Sequence, residues 1–341
     1  MKKMYPSIDL YKFLFAIVVV SIHTTPFLDV SKDISWFYNA SFANLDVPFF
    51  FIASGYLLYS RCDGKTDNER QQITRKYVLH ILRMYLVWSI LWLTWKILNC
   101  VNTGEFSIRV ILNYLKSFLL GTTGDALWYL PALVFAVIVT KVMLKYLSDK
   151  VALIIWGGVY LFGALASSWY ALMPCKSLIE TYFRLFCSTY NGLFYGGLFY
   201  MMGVYLYPKE KRALVITVPR LGISAMLLIL EVYLMKQFPS SYCGNTVCVM
   251  VPFVSFYLFK LVLSIKVRES IHLLRMRKMS SLIYLSHCYI IRCIRLTTSI
   301  FRVDIGLITI FTVTLAVSIM FSYLAVRLTE NKSRHILTLL Y

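Results

Sequence analysis

The sequence predicts an all-α integral membrane protein, a bundle of about ten transmembrane helices. Its composition, the length of its apolar runs and the placement of its basic residues lead to this prediction. Of the 341 residues, 59% are hydrophobic and only 15% are charged, whereas soluble domains are about 25% charged. Because every backbone polar group must be satisfied inside a bilayer, and no barrel-type alternation is present, helices are the expected spanning elements.

Ten apolar runs are candidates for crossing a bilayer core of about 30 Å, which takes about 20 residues in a helix. They cover residues 8–27, 47–60, 77–98, 127–147, 151–172, 190–207, 213–235, 247–265, 281–300 and 305–327. The second run is short for a span. Residues 108–120 are shorter and amphipathic, and we expect them to form a helix in the membrane interface.

The basic residues alternate with these runs. The gaps that include both termini hold 21 Lys and Arg when Lys141, Lys145 and Arg327 at the ends of the adjoining runs are included, and the alternate gaps hold 7. Cytoplasmic loops are enriched in Lys and Arg, so we expect a multi-pass membrane protein with both termini cytoplasmic. The net charge of +19 is then explained by topology and by attraction to anionic membrane lipid, and no nucleic-acid partner is expected.

The first run carries three ionisable residues, Asp9, Lys12 and His23. At 100° per residue they share one stripe of a helix, with His23 roughly 22 Å along the axis from Ile8. Ionisable groups at membrane depth are costly and usually functional, so the stripe should face the protein interior or a water-filled cavity. His23 is a candidate general base. The alternative is a histidine that only bonds to a neighbouring helix.

A second group of donors opens the third run. Lys76, His80 and Arg83 fall on one helical face at the cytoplasmic edge, where a phosphate-bearing ligand can dock. The alternative is that they bind lipid headgroups or extend toward the interface.

Further polar residues lie in the later runs. His287 shares a face of the ninth run with Ser280 and Tyr284, and Asn191 begins the sixth run among glycines that predict close helix packing. Glu231 is placed to pair with an arginine near the outer end of the ninth run.

The eight cysteines show no zinc-type spacing with each other or with histidine, so no metal is expected. Cys243 and Cys248 are the nearest pair in the outer segments. The sequence leaves open whether they form a disulfide or stay free thiols.

Several segments together resemble the acyltransferase-3 family of integral membrane acyltransferases over a single domain, residues 1–341. Within that family the sequence is most similar to the membrane half of the serine/alanine racemases associated with vancomycin resistance, a half linked to serine transport. The matching segments are IDLYKFLFAIVVVSIHTTPF (8–27), VPFFFIASGYLL (47–58), RMY (83–85), LWYLPAL (127–133), NGLFYG (191–196) and SLIYLSH (281–287).

The resemblance implies an O-acyltransferase with acetyl-CoA or another acyl-CoA as the donor, bound from the cytoplasm. The acceptor would be a hydroxyl of a cell-surface glycan or lipid-linked sugar, with His23 as general base. The implied roles are catalysis for His23 and Arg83, donor binding for Lys12, Lys76, His80 and Arg83, and substrate or oxyanion contacts for Trp128, Tyr129, Asn191 and His287.

The sequence also departs from the family pattern. His80 stands where the first Arg of an RxxR motif is usual, Ala126 replaces a His before LW, and Tyr190 replaces an Arg before NG. An Arg usual just before VPxFF is missing, and Asp46 is the last residue before that segment. These losses keep two other interpretations open, a transporter of a small solute such as serine and a non-catalytic scaffold.

Overall fold

Every regular element in the described part of the chain is a helix. The computed structural model describes residues 4–104, 107–119, 126–174, 176–186, 188–207, 214–237, 246–330 and 340–341. The α-helices are α1 Pro6–Thr24, α2 Lys32–Ala40, α3 Asp46–Cys62, α4 Asp67–Thr103, α5 Ile108–Leu119, α6 Tyr129–Tyr146, α7 Asp149–Ser168, α8 Lys176–Phe186, α9 Gly197–Leu206, α10 Leu214–Gln237, α11 Val251–Ser264, α12 Ile271–Phe301 and α13 Leu307–Glu330.

A helix corresponds to each predicted run, and this confirms an all-α membrane protein. Among the described residues, seven helical segments are long and apolar enough to span a bilayer, while α9 with its preceding π-helical turn and α11 are shorter. The boundaries differ most for α4 and α12. They begin at Asp67 and Ile271 rather than at 77 and 281, because hydrophobicity alone does not mark where a helix continues into a polar, basic segment.

Side-chain caps set several of these helix starts. Thr66 and Glu69 form a reciprocal capping box at the start of α4, and Ser270 accepts a hydrogen bond from the backbone N–H of Leu273 at the start of α12. These bonds satisfy N–H groups that have no partner inside the helix. At the other end of α4, Gly104 adopts a positive φ of 68°, which glycine tolerates without steric cost.

Small residues bring α3 and α9 into close contact. A Cβ atom added at Gly203 would overlap the carbonyl oxygen of Ile52, and one added at Gly55 would overlap that of Tyr200. Without a hydrophobic driving force between helices in lipid, such close packing is a main source of their association. The prediction that Gly203 serves helix packing is confirmed.

The pair α1 and α12 forms the frame of the site. Near the start of both helices, Arg277 Nη1 lies 3.7 Å from Asp9 Oδ2, and further along both, the ring centroids of His23 and His287 are 4.9 Å apart. Because the contacts follow the same order along both helices, the two run in the same direction. We call the end near Asp9 and Arg277 the basic end of the bundle.

The segment predicted to lie in the interface forms α5, none of whose residues is buried. It attaches to α4 through hydrogen bonds from Tyr114 to the carbonyl of Ser89 and from Tyr85 to the carbonyl of Phe118. Of the predicted cysteine pair, Cys248 is a buried free thiol, and Cys243 lies outside the described residues.

Candidate functional site

A cavity of about 280 Å³ lies at the basic end, between α1, α3, α4, α6 and α12. We call it the basic cavity. Among the described residues that line it, none has a carboxylate side chain. Its cationic side chains are those of Lys12, Arg61, Arg277 and Lys278, and His80 adds an imidazole. A concave site with several cationic donors suits a ligand that carries phosphate or carboxylate groups.

Asp9 stands behind this cationic surface. It is only 2% exposed, its Oδ2 atom makes no hydrogen bond, and it interacts electrostatically with both Arg277 and Lys12. A buried carboxylate near two cations offsets part of their mutual repulsion. Asp9 therefore helps to hold Lys12 and Arg277 at the same cavity.

Three aromatic rings close the inner end of the basic cavity. Phe50, Tyr129 and Tyr284 all line it, with ring centroids 5.4 Å apart for Tyr129 and Tyr284 and 5.5 Å apart for Phe50 and Tyr284. The Tyr284 hydroxyl donates to the carbonyl of Ala126 at 3.0 Å, and the hydroxyls of Tyr129 and Ser54 are 3.1 Å apart. We call these three rings the aromatic floor.

A cluster of imidazole and thiol groups lies on the other side of the aromatic floor. His23 belongs to the last turn of α1, and its ring faces His287 on α12, which is fully buried. The His287 ring is 6.1 Å from that of Tyr284. Cys288 Sγ lies 3.1 Å from His287 Nε2. We call His23, His287 and Cys288 the histidine cluster.

The protonation of His287 follows from its contacts. Nδ1 is 3.1 Å from the carbonyl oxygen of Ile283, and a carbonyl only accepts, so Nδ1 carries the proton in the neutral ring. Nε2 is then an acceptor and faces the thiol of Cys288. His287 is therefore oriented as a base, with a backbone carbonyl fixing its tautomer.

The structure divides the predicted stripe on α1. Lys12 lines the basic cavity, whereas His23 and His287 are not among the residues that line it. Tyr284 of the aromatic floor lies between the two groups on α12, since it lines the basic cavity and its ring is 6.1 Å from that of His287. Helical periodicity places residues on one face of a helix, but it does not show which side chains from other helices lie between them. The sequence alone therefore does not predict that Lys12 and His23 belong to different sites.

The predicted donors on α4 occupy different positions. His80 lines the basic cavity, and its Nδ1 lies 2.9 Å from Nη2 of Arg83. Arg83 and Lys76 are exposed and are not among the lining residues. Sequence reasoning missed Arg61 and Arg277 as cavity residues because both belong to loop-flanking basic groups that the topology argument alone explained.

The predicted substrate contacts also separate. Tyr129 is part of the aromatic floor, while Trp128 packs near Phe51 and Tyr190. Asn191 caps the turn before α9, with its Oδ1 accepting from the backbone N–H groups of Leu193 and Phe194.

The predicted pairing of Glu231 with an arginine of α12 is wrong. Its carboxylate accepts hydrogen bonds from Trp169 Nε1 at 3.3 Å and from the backbone N–H groups of Val249 and Met250 at 2.6 and 2.8 Å. These bonds connect α10 to the segment that leads into α11. A pattern of charges does not show these donors, because backbone N–H groups 18 and 19 residues after Glu231 carry no formal charge.

Asp46 is a buried acid that sequence reasoning did not select. It begins α3 and is 3% exposed, its Oδ1 accepts the backbone N–H of Val47 at 2.5 Å, and Oδ2 has no hydrogen-bond partner. It interacts electrostatically with Tyr38 and Tyr284. The sequence contains a feature that could have identified Asp46, because it is the sole charged residue between positions 34 and 60.

A family model described as an acyltransferase domain, of the acyltransferase-3 type, matches residues 5–327. The chain belongs to this family. Among curated proteins, an amino-acid racemase of Enterococcus faecalis is 29% identical over 62% of this chain and 30% of that protein. A serine/alanine racemase of Enterococcus gallinarum is 26% identical over 75% of this chain and 37% of that protein. The chain thus spans about a third of these relatives. No solved structure matches it.

Proposed function

We propose that this protein is an O-acyltransferase of the bacterial cell membrane. It takes an acyl group from acetyl-CoA or another acyl-CoA at the basic end, which faces the cytoplasm. It transfers the group to a hydroxyl of a cell-surface glycan or lipid-linked sugar. The family match supports the reaction class. The donor, the acceptor and the roles of individual residues are our inference from the site.

The observation that carries the proposal is the order of three layers along α1 and α12. Lys12 and Arg277 line the basic cavity, Tyr284 belongs to the aromatic floor, and His23 and His287 follow. A coenzyme thioester has the same order, with a multiply charged phosphate end, a narrow arm and a reactive carbonyl at the tip. Side chains of the aromatic floor must rotate before the acyl end of the donor can reach the histidine cluster.

The cationic residues of the basic cavity bind the phosphates of the donor in this proposal. Lys12, Arg61 and Arg277 supply charge-assisted hydrogen bonds, and His80 adds a donor that Arg83 orients through its 2.9 Å contact. Lys76 contributes only long-range attraction, because it is exposed outside the cavity.

His23 acts as the general base at the other end. Its imidazole takes the proton of the acceptor hydroxyl as that oxygen attacks the acyl carbonyl. The neighbouring His287 ring, 4.9 Å away between centroids, keeps a second neutral imidazole at the reacting atoms. His287 is fully buried, so bulk water, which otherwise hydrolyses the acyl donor, does not reach this side of the site.

A small-solute transporter is the second candidate, and polar groups that continue along α1 from Asp9 to His23 are compatible with it. The charge of the basic cavity favours the acyltransferase, because a zwitterion such as serine offers little to a surface of several cations. The comparison with racemases does not decide the question, since the match covers only about a third of the proteins that carry those names.

The test supplies purified protein in liposomes with radiolabelled acetyl-CoA and glycolipids extracted from bacterial membranes. We expect label on the glycolipid with wild type and its loss with His23→Ala. His272→Ala is the matched control, since this histidine at the start of α12 is not among the residues that line the basic cavity. Uptake of radiolabelled serine that does not depend on acetyl-CoA, without label transfer, would contradict the proposal.

A further inference from the structure

Cys288 and His287 have the arrangement of an activated nucleophile. The thiol is 3.1 Å from His287 Nε2, and the opposite ring nitrogen is held by the carbonyl of Ile283 at 3.1 Å. A nucleophile, a base within hydrogen-bond reach and a third group that orients the base form the recurring signature of covalent catalysis. Neither the family match nor the sequence pattern assigns a role to Cys288.

The position of Cys288 connects it to the donor cavity. Ser281, Tyr284 and Leu285 of α12 line the basic cavity, and Cys288 follows them at the spacings i+7, i+4 and i+3, which place residues on one helical face. Cys288 is therefore the next nucleophilic side chain on this face beyond the aromatic floor, and it is 3% exposed.

A second base, His23, lies close to the same thiol. The ligand atoms of His23, His287 and Cys288 all lie within 4.8 Å of one another. One imidazole can therefore serve the thiol while the other serves an incoming hydroxyl. A direct transfer of the acyl group from acyl-CoA to the acceptor needs only one proton acceptor. Two proton acceptors lie near the Cys288 sulfur.

We propose that Cys288 carries the acyl group as a thioester between donor and acceptor, with His287 as its base. This inference rests on the proposed function and adds a covalent intermediate to it. With a covalent intermediate, the donor and the acceptor bind to the enzyme one after the other. The two substrates therefore do not occupy one cavity at the same time.

The two half-reactions balance. In the first, Cys288 Sγ gives its proton to His287 Nε2 and attacks the carbonyl carbon of acyl-CoA. The new C–S bond forms as the bond to coenzyme A breaks, and the proton passes to the leaving thiolate. In the second, His23 takes the proton of the acceptor hydroxyl, whose oxygen attacks the acyl-Cys288 carbon. The C–O bond forms, the C–S bond breaks, and the proton returns to the Cys288 thiolate.

The experiment incubates the intact purified protein with acetyl-CoA alone, quenches it in acid and maps acetyl groups by peptide mass spectrometry. We expect an acetyl group on the peptide that contains Cys288, removed by hydroxylamine at neutral pH as thioesters are. His287→Ala should lose most of this adduct. His23→Ala should keep it and accumulate it at least several-fold when glycolipid is present, because only the second half-reaction needs His23.

Two cysteines serve as controls. Cys293 lies on the same helix and is half-buried, and Cys62 lines a separate cavity at the basic end with Arg70 and Lys141. Cys293→Ala and Cys62→Ala should keep the Cys288 adduct. Cys288→Ser tests the site if Cys288→Ala does not fold, since an oxygen ester resists neutral hydroxylamine. Folding is checked by size-exclusion chromatography.

Distinct results would overturn the inference. Glycolipid labelling by wild type that persists in Cys288→Ala would leave the acyltransferase proposal standing and eliminate the thioester. Labelling of Cys62 without Cys288 would do the same. A tightly bound zinc ion, released by Cys288→Ala, would assign the histidine cluster to metal binding instead. Absence of both adduct and glycolipid labelling would overturn the two proposals together.

Discussion

The basic cavity and the histidine cluster are two polar regions built on the same pair of helices, and they differ in almost every physical respect. The first is open, lined by Lys12 and Arg277, and backed by a buried acid. The second is formed by two imidazole rings and a thiol, and it is centred on the fully buried His287 with the half-buried His23 beside it. The first is suited to holding charge and the second to moving a proton without water.

The aromatic floor explains why the two regions remain different. Tyr284 belongs to the basic cavity through its ring and stands 6.1 Å from His287 on the other side. If binding and chemistry are divided in this way, changes in the basic cavity should alter donor affinity, and changes in the histidine cluster should alter the chemical rate.

The largest expected effect is at His23. His23→Ala should lower kcat by roughly 10²- to 10⁴-fold, the usual contribution of a general base, while the Kd for acetyl-CoA stays within about twofold. Binding is measured by calorimetry and kcat by label transfer on the same preparation. A Kd that rises in step with the loss of kcat would contradict the division between the two regions.

A smaller effect is expected at Arg277. Arg277→Gln removes a charge-assisted hydrogen bond from the basic cavity, and we expect KM for acetyl-CoA to rise about tenfold or more with kcat little changed. Arg275→Gln is the matched control, because Arg275 bonds to Glu330 at 2.9 Å. Lys76→Gln, outside the cavity, should also leave KM unchanged. Equal effects of all three would indicate only general attraction of an anion to a basic surface.

The contact between α3 and α9 supports the basic cavity, because α3 carries Phe50 of its aromatic floor and Arg61 of its cationic lining. Gly203→Ala forces a methyl group onto the backbone of Ile52 and should cost about 1–3 kcal/mol of stability. Gly222→Ala is the matched control, since nothing lies within 4 Å of its added Cβ. The melting temperature in detergent measures the difference, and equal values would contradict the packing.

The smallest effect is expected at Tyr284. Tyr284→Phe keeps the ring in the aromatic floor but removes its 3.0 Å bond to the carbonyl of Ala126, so we expect a loss of about 1 kcal/mol of stability. A more mobile ring should also let a maleimide reach Cys288 faster. Tyr129→Phe is the control for loss of a hydroxyl. Unchanged labelling of Cys288 would show that Tyr284 does not close the cavity.

The fold followed largely from the sequence, because length, hydrophobicity and basic loops are local properties. The same holds for the positions of Lys12 and His80, which helical spacing placed at the basic end. The aromatic floor did not follow, since Phe50, Tyr129 and Tyr284 meet only when α3, α6 and α12 pack together. Glu231 shows the same limit, because its partners are backbone N–H groups that carry no sequence signal.

His287 and Cys288 illustrate a second kind of limit. His287 was selected from the sequence as an ionisable group at membrane depth, but adjacent residues on a helix normally diverge by about 100°. The 3.1 Å approach of Cys288 Sγ to His287 Nε2 depends on side-chain rotamers fixed by packing. Only the structure shows that the side chains of this pair lie within 4.8 Å of a His23 ring nitrogen.

A structure of the protein bound to a non-hydrolysable acetyl-CoA analogue tests the central claim most directly. The account predicts phosphates within hydrogen-bond distance of Lys12, Arg61 or Arg277, with the tip of the arm displacing Tyr284 and pointing at the histidine cluster. An analogue bound elsewhere, such as the cavity of Cys62 and Arg70, with the aromatic floor unmoved, would contradict it.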